Sequence, residues 1–75
     1  MTDLSRAQTN LLAVLSVHAH DVHGPALARQ LDGPVAGVHR TAASLRQRGL
    51  ISKSIDRLGV AYRITQAGYD ALARA

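Results

Sequence analysis

The sequence predicts a mainly α-helical fold with one small β-hairpin, on three observations. Apolar residues recur at three- and four-residue intervals through the first two thirds of the chain. Asp32-Gly33-Pro34 interrupts that pattern and leaves a short helical stretch on either side. Beyond it, the alternating segments Ile51-Ser52-Lys53-Ser54-Ile55 and Val60-Ala61-Tyr62-Arg63-Ile64 flank the turn-rich tetrapeptide Asp56-Arg57-Leu58-Gly59.

Asp3 or Ser5 supplies an N-cap for a first helix. Leu4, Ala7, Leu11, Val14, Leu15 and His18 follow helical spacing, and Leu12 and Val17 widen the stripe. The helix is expected to fade near Ala19 or His20, where histidines suit the negative end of its dipole. Asp21-Val22-His23-Gly24 reads as a connector with Val22 buried. Pro25 fits the first position of a second helix, whose inner face is Leu27, Ala28 and Leu31. Pro34 disfavours helix at Gly33 and can open the next one, with Asp32 as a candidate cap for that start.

The third helix is expected from Pro34 or Val35 to Gln47 or Arg48. Val38, Thr41, Ala42 and Leu45 form its inner face, and Gly49 its C-cap. In the hairpin, Ile51, Ile55, Val60, Tyr62 and Ile64 share one face and are expected to cover the helices, with Ser52, Ser54 and Arg63 on the other. Thr65 caps a last helix running through Arg74, with Tyr69 and Leu72 turned inward. Residues 1–75 are read as one domain.

Composition narrows the function. There is no cysteine, hence no disulfide or thiolate metal site, and Tyr62 and Tyr69 are the only aromatic residues apart from histidine. Nine Lys and Arg stand against five Asp and no Glu, giving a net charge of +4. Seven of those nine cations (Arg29, Arg40, Arg46, Arg48, Lys53, Arg57, Arg63) lie between residues 29 and 63. Clustering of that kind points to a polyanion such as nucleic acid rather than to solubility alone. No Gly-rich phosphate cradle and no nucleophile–base pair is evident, so the chain does not read as an enzyme, and no cofactor is implied. No apolar run reaches the ~20 residues of a membrane span, and the N-terminus has no signal-peptide hydrophobic region, so a cytoplasmic, nucleoid-associated protein is expected. His18, His20, His23 and Asp21 form a rival cluster with the ligand types for Zn²⁺ or Ni²⁺, but their spacing matches no closed site, and the alternative is that His18 sits against the core while His20 and His23 close helix ends.

A short helix, a tight turn and a second helix with polar or basic outer positions is the pattern of a helix that packs with one face and meets a nucleic-acid groove with the other. Leu27-Ala28-Arg29-Gln30-Leu31 resembles the first helix of a helix-turn-helix. Val38-His39-Arg40 and Leu45-Arg46-Gln47-Arg48-Gly49-Leu50-Ile51 resemble its recognition helix and the exit into a wing. Ile64-Thr65-Gln66-Ala67-Gly68-Tyr69-Asp70-Ala71-Leu72 resembles the strand end and last helix of the bacterial MarR and PadR-like regulators. Taken in order, these segments look like a winged helix-turn-helix of that kind across nearly the whole chain. Several departures stand out: Asp32 occupies a turn position where the motif usually has Gly, Gly33 one where it often has an apolar residue, the wing is short and carries only Arg57 at its tip, and the long terminal helices with which MarR-like proteins dimerise are not seen.

The resemblance implies a sequence-specific double-stranded DNA-binding protein, most simply a transcriptional regulator acting as a homodimer on an inverted repeat. Its third helix would enter the major groove and its wing would lie on the flanking backbone. Helical geometry then turns Ala36, Gly37, His39, Arg40, Ala43 and Ser44 outward. Arg40 is the foremost candidate, for guanine or for a phosphate. His39 and Ser44 can donate to a base or phosphate, and Ala36 and Ala43 can meet a thymine methyl. Lys53 and Arg63 on the hairpin, Arg57 at its tip and Arg29 on the second helix are candidate phosphate contacts, and Arg57 also a minor-groove one. Arg46 and Arg48 remain open between ion pairs with Asp32, Asp56 or Asp70 and plain solvation. Leu12, Val17 and Tyr69 are candidate dimer contacts. The other function class in play is a winged-helix module that binds a protein within a larger assembly; Arg40, Lys53, Arg57 and Arg63 pointing in different directions, or masked by aspartates, would favour it.

Overall fold

The computed structural model describes residues 3–18 and 20–74. It contains α1 (Arg6–Ser16), β1 (Val22–His23), α2 (Gly24–Leu31), α3 (Val35–Gln47), β2 (Ile51–Asp56), β3 (Gly59–Ile64) and α4 (Gln66–Arg74). The strands form one antiparallel sheet in the order β1-β3-β2. The mainly α fold with a hairpin wing is therefore as expected, with one strand added. The segment read as a connector pairs Val22 with Tyr62 and His23 with Ala61. Two residues are too short to display strand alternation, so only the tertiary pairing makes β1 visible.

Local chemistry fixes the helix ends. Ser5 caps α1 in a reciprocal box: its Oγ accepts from the Gln8 N–H at 3.1 Å, and its own N–H donates to Gln8 Oε1 at 2.9 Å. The helix stops at Ser16, short of the expected end, because the N–H groups of Val17 and His18 turn back to the carbonyls of Val14 and Leu15, three residues earlier. Ala19 lies outside the described residues. Helices α2 and α3 both end in Schellman geometry. After α3, the Gly49 N–H donates to Arg46 and the Leu50 N–H to Leu45, with Gly49 at φ 74°. After α2 the left-handed position is held by Asp32 at φ 55°, and the Gly33 N–H donates to the Ala28 carbonyl. Asp32 thus terminates α2 and does not cap α3. The N-cap of α3 is Pro34, with no side-chain cap bond.

The core is aliphatic. Leu11, Leu12, Leu15, Leu27, Ala42 and Leu45 are at most 1% exposed, and Val22, Ala28, Val38, Leu50, Ile51, Tyr62, Ile64 and Ala71 complete the cluster. Leu12 is fully buried, so it is withdrawn from any interface; Val17 and Tyr69 are exposed. The hairpin register confirms that Ile51, Ile55, Val60, Tyr62 and Ile64 share a face, since Ile51 pairs with Ile64 and Ile55 with Val60. Only the root of that face is covered. The hairpin runs out past the helices, leaving Ile55 72% exposed.

Tyr69 was expected inward, but the face α4 buries is Gly68 and Ala71. The approach there is close: a Cβ on Gly68 would overlap the Leu50 carbonyl oxygen and crowd Ile64 Cγ1. The Thr65 hydroxyl caps this helix by accepting the Gly68 N–H at 3.1 Å and ties it to α3 by donating to the Gly49 carbonyl at 2.8 Å.

Gly68→Ala should destabilise the fold by roughly 3 kcal/mol, since the backbone it meets cannot yield cheaply. Gly37→Ala meets only Pro34 Cγ at ordinary contact distance and should stabilise by about 0.5–1 kcal/mol through helix propensity. Urea unfolding of both variants checks the opposite signs. Asp32→Val should cost roughly 1–2 kcal/mol while Asp32→Gly costs nothing, because a β-branched residue is strained at positive φ. Equal midpoints for the two Asp32 variants would contradict the left-handed assignment.

Candidate nucleic-acid interface

The site is built on α3. Its buried residues Val38, Ala42 and Leu45 define one stripe, and the helical repeat places Ala36, Arg40, Ala43 and Gln47 roughly opposite. All four are exposed. Two alanines beside one arginine leave a low, smooth surface from which a single guanidinium rises. Gln47 continues the i, i+4, i+7, i+11 series from Ala36 and was missed in reading the sequence, although the spacing alone contained it. Its amide carries both donor and acceptor groups.

The remaining sequence-predicted positions on α3 lie to either side of this stripe. Gly37 is half-buried over Pro34. Ser44 Oγ accepts from Gln8 Nε2 on α1 at 2.8 Å, and Arg48 Nη1 reaches Gln8 Oε1 at 3.3 Å and the Asp3 carbonyl at 3.2 Å. Arg48 therefore joins α3 to the start of α1 and pairs with none of the aspartates considered for it. His39 is half-buried, and its Nδ1 shares a hydrogen bond with the Tyr62 hydroxyl of β3. Burial pushes the Tyr62 phenol above its usual range, opposed by the nearby Arg46 guanidinium, so the hydroxyl keeps its proton at neutral pH.

On the hairpin, Lys53, Arg57 and Arg63 are all exposed. Lys53 pairs with Tyr62 in register and so shares the face of Ile51, while Arg63 lies on the opposite face beside Ser52. Arg63 Nε contacts Asp21 Oδ1 at 3.2 Å, and Ser54 Oγ donates to the other oxygen of that carboxylate at 3.0 Å. An exposed pair of this kind is weak and can be exchanged for another anion. Asp56 is likewise engaged: His23 Nε2 lies 3.0 Å from its carboxylate and the Leu58 N–H donates to it at 2.8 Å. The His23 hydrogen bond, ahead of that from Leu58, holds the Asp56 carboxyl below the usual range. Among the described residues, Arg29, Arg40, Lys53 and Arg57 have no carboxylate within ion-pair distance.

The histidine cluster disperses. His18 Nε2 lies 3.3 Å from Gln30 Oε1, His20 Nδ1 donates to the Asp21 carbonyl at 2.9 Å, and His23 turns to Asp56. Among the described residues, no three His, Cys, Asp or Glu side chains converge as a metal site would require. No described helix is long and apolar enough to cross a membrane.

No family model and no curated protein sequence matches the chain. Solved structures do. RosR of H. salinarum is 29% identical, with a TM-score of 0.83, over 96% of this chain and 70% of that one. A MarR-family transcriptional regulator from Silicibacter pomeroyi is 24% identical, with a TM-score of 0.86, over 95% of this chain and 49% of its own. A MarR-family regulator from Rhodococcus sp. RHA1 is 18% identical, with a TM-score of 0.88, over 95% of this chain and 51% of its own. The chain thus spans about half the length of the two MarR-family regulators. The fold is the winged helix-turn-helix of the MarR-type transcriptional regulators.

Proposed function

We propose that this protein binds double-stranded DNA sequence-specifically, as a transcriptional regulator, with the exposed stripe of α3 in the major groove and the hairpin on the flanking backbone. The observation that carries this reading is the stripe itself: Ala36, Arg40, Ala43 and Gln47 stand exposed on the second helix of a helix-turn-helix, with Arg40 free of any ion pair among the described residues. Small residues let the helix sit deep, and one guanidinium can bond both O6 and N7 of a guanine. Arg29, Lys53 and Arg57 neutralise phosphates, and Arg57 can also enter the minor groove. Gly37 allows close approach near the start of the helix. Arg63 joins them by exchanging Asp21 for a phosphate. A single reader of this size has little contact area, so a homodimer on an inverted repeat supplies affinity by joining two half-sites. A cytoplasmic, nucleoid-associated location goes with this role.

A second reading, a module that binds a protein within a larger assembly, is favoured by two observations: Arg63 is paired with Asp21 and lies on the hairpin face opposite Lys53, and the hairpin end is apolar. The end of the hairpin carries Ile55 and Leu58, 72% and 81% exposed. Such apolar protrusions suit a protein partner better than a phosphate backbone.

Selection from a random duplex pool at two salt concentrations decides between them. Wild type should enrich a palindromic site. Arg40→Ala should relax it at one base position in each half, at a cost of roughly 1–3 kcal/mol. Lys53→Ala should weaken binding evenly across sequences and lower the salt slope by about 1. Weak, salt-sensitive retention with no enriched site would contradict the proposal and leave the protein-binding reading.

A further inference from the structure

One side chain on α3 lies where a reader is expected but is occupied within the fold. His39 follows Val38 on the helix, so it sits at the edge of the buried stripe on the side of the sheet. Its Nδ1 is hydrogen-bonded to Tyr62, and the two rings lie 5.7 Å apart at 55°. Tyr62 is 3% exposed and belongs to β3, the central strand, paired with Val22 on one side and Lys53 on the other. The opposite edge of the imidazole meets the backbone of Gly24, the first residue of α2: a Cβ there would lie 2.9 Å from both Cε1 and Nε2. The ring is therefore enclosed by the strand that carries the hairpin and by the start of the helix that precedes the turn. Arg46, two turns further along α3, is the charged group whose field reaches the Tyr62 phenol.

An apolar stripe sets how deep a helix sits, but aliphatic contacts are non-directional and leave its rotation about its own axis loosely defined. The hydrogen bond is directional, and it joins α3 to the one strand on which the hairpin depends. We infer that His39 is a positioning residue: through Tyr62 and Gly24 it fixes the rotation of α3 relative to the hairpin and thereby aims Arg40. This inference rests on the DNA-binding reading for its consequence, though not for the latch itself.

Tyr62→Phe separates the roles, because Tyr62 is buried and cannot touch DNA, while the variant keeps the ring and removes only the hydroxyl. Affinities are measured for the duplex that wild type enriches, at a temperature where melting curves show each variant folded. Tyr62→Phe and His39→Ala should each weaken binding about fivefold, the double variant should be no weaker than His39→Ala, and the salt slope should not change. Gly24→Ala, which displaces the ring without deleting it, should weaken binding in the same direction. Arg40→Ala should cost less in the Tyr62→Phe background than in wild type, a coupling that loss of stability alone does not produce. Unchanged affinity in Tyr62→Phe beside a loss in His39→Ala would make His39 a direct DNA contact and overturn the inference. An Arg40→Ala cost that is the same in both backgrounds would overturn the aiming role. Amide exchange of the free protein tests the latch whether or not a DNA site is found: Tyr62→Phe should speed exchange through 35–47 and 59–64 and spare α1. No change there overturns it, whereas absence of any enriched site with faster exchange overturns only the DNA-binding reading.

Discussion

The seating of α3 is the constraint on which the rest of this structure depends. Val38, Ala42 and Leu45 press into a cluster built from the leucines of α1 and α2, and Ala42 is completely excluded from solvent. An alanine at the centre of the contact lets the helix axes approach closely, so a small core closes with Tyr62 as its one aromatic side chain among the described residues. The turn before α3 and the wing after it are consequences of that seating. Asp32 accepts a left-handed backbone so that the chain can leave α2 and enter α3 within three residues, and Gly49 takes a left-handed backbone at the far end. Leu50 follows into the core, and its carbonyl accepts the Thr65 N–H at 3.1 Å, bringing the base of the hairpin and the start of α4 together. Gly68 then fits against that same carbonyl, where no side chain could.

With one face of α3 committed to the core, polar contacts hold both of its flanks. On the α1 side Gln8 bonds Ser44 and Arg48; on the sheet side Tyr62 bonds His39. The residues between these flanks, on the side away from the core, make no such contact among the described residues. The aspartates are distributed in the same spirit. Asp21 and Asp56 serve the sheet by holding Arg63 and His23, which keeps two carboxylates bound close to the hairpin. Among the described residues, cations without a carboxylate partner lie on α2, α3 and the outer hairpin (Arg29, Arg40, Lys53, Arg57) and also on α1 and α4 (Arg6, Arg74), and this excess of free positive charge favours a polyanion over a neutral partner.

The fold was legible because its signals are local. The Asp3 or Ser5 cap, Pro25, the Asp32-Gly33-Pro34 break, Gly49 and the two alternating segments each mark an element end within a few residues. What was not legible depends on partners distant in sequence. The strand pairing of Val22 and His23 exists only because β3 lies beside it. Ile55 obeys strand alternation perfectly, yet nothing reaches out to cover it. Tyr69 loses the inward position to Gly68, because close approach to a carbonyl outranks hydrophobicity at that contact. The candidate site divides the same way. Arg40, Ala36 and Ala43 follow from helical arithmetic, which extends to Gln47 as well. That His39 would meet Tyr62 and Ser44 would meet Gln8 could not be read from spacing, since their partners lie 23 and 36 residues away.

Chemical-shift mapping tests the central claim most directly. The ¹⁵N-labelled protein is titrated with the duplex recovered most strongly from a random pool. The account predicts the largest shifts at Ala36, Arg40, Ala43 and Gln47, with a second group at 53–58 and little change along α1 and α4. Shifts centred on α1 and α4, with the α3 stripe silent, would contradict it.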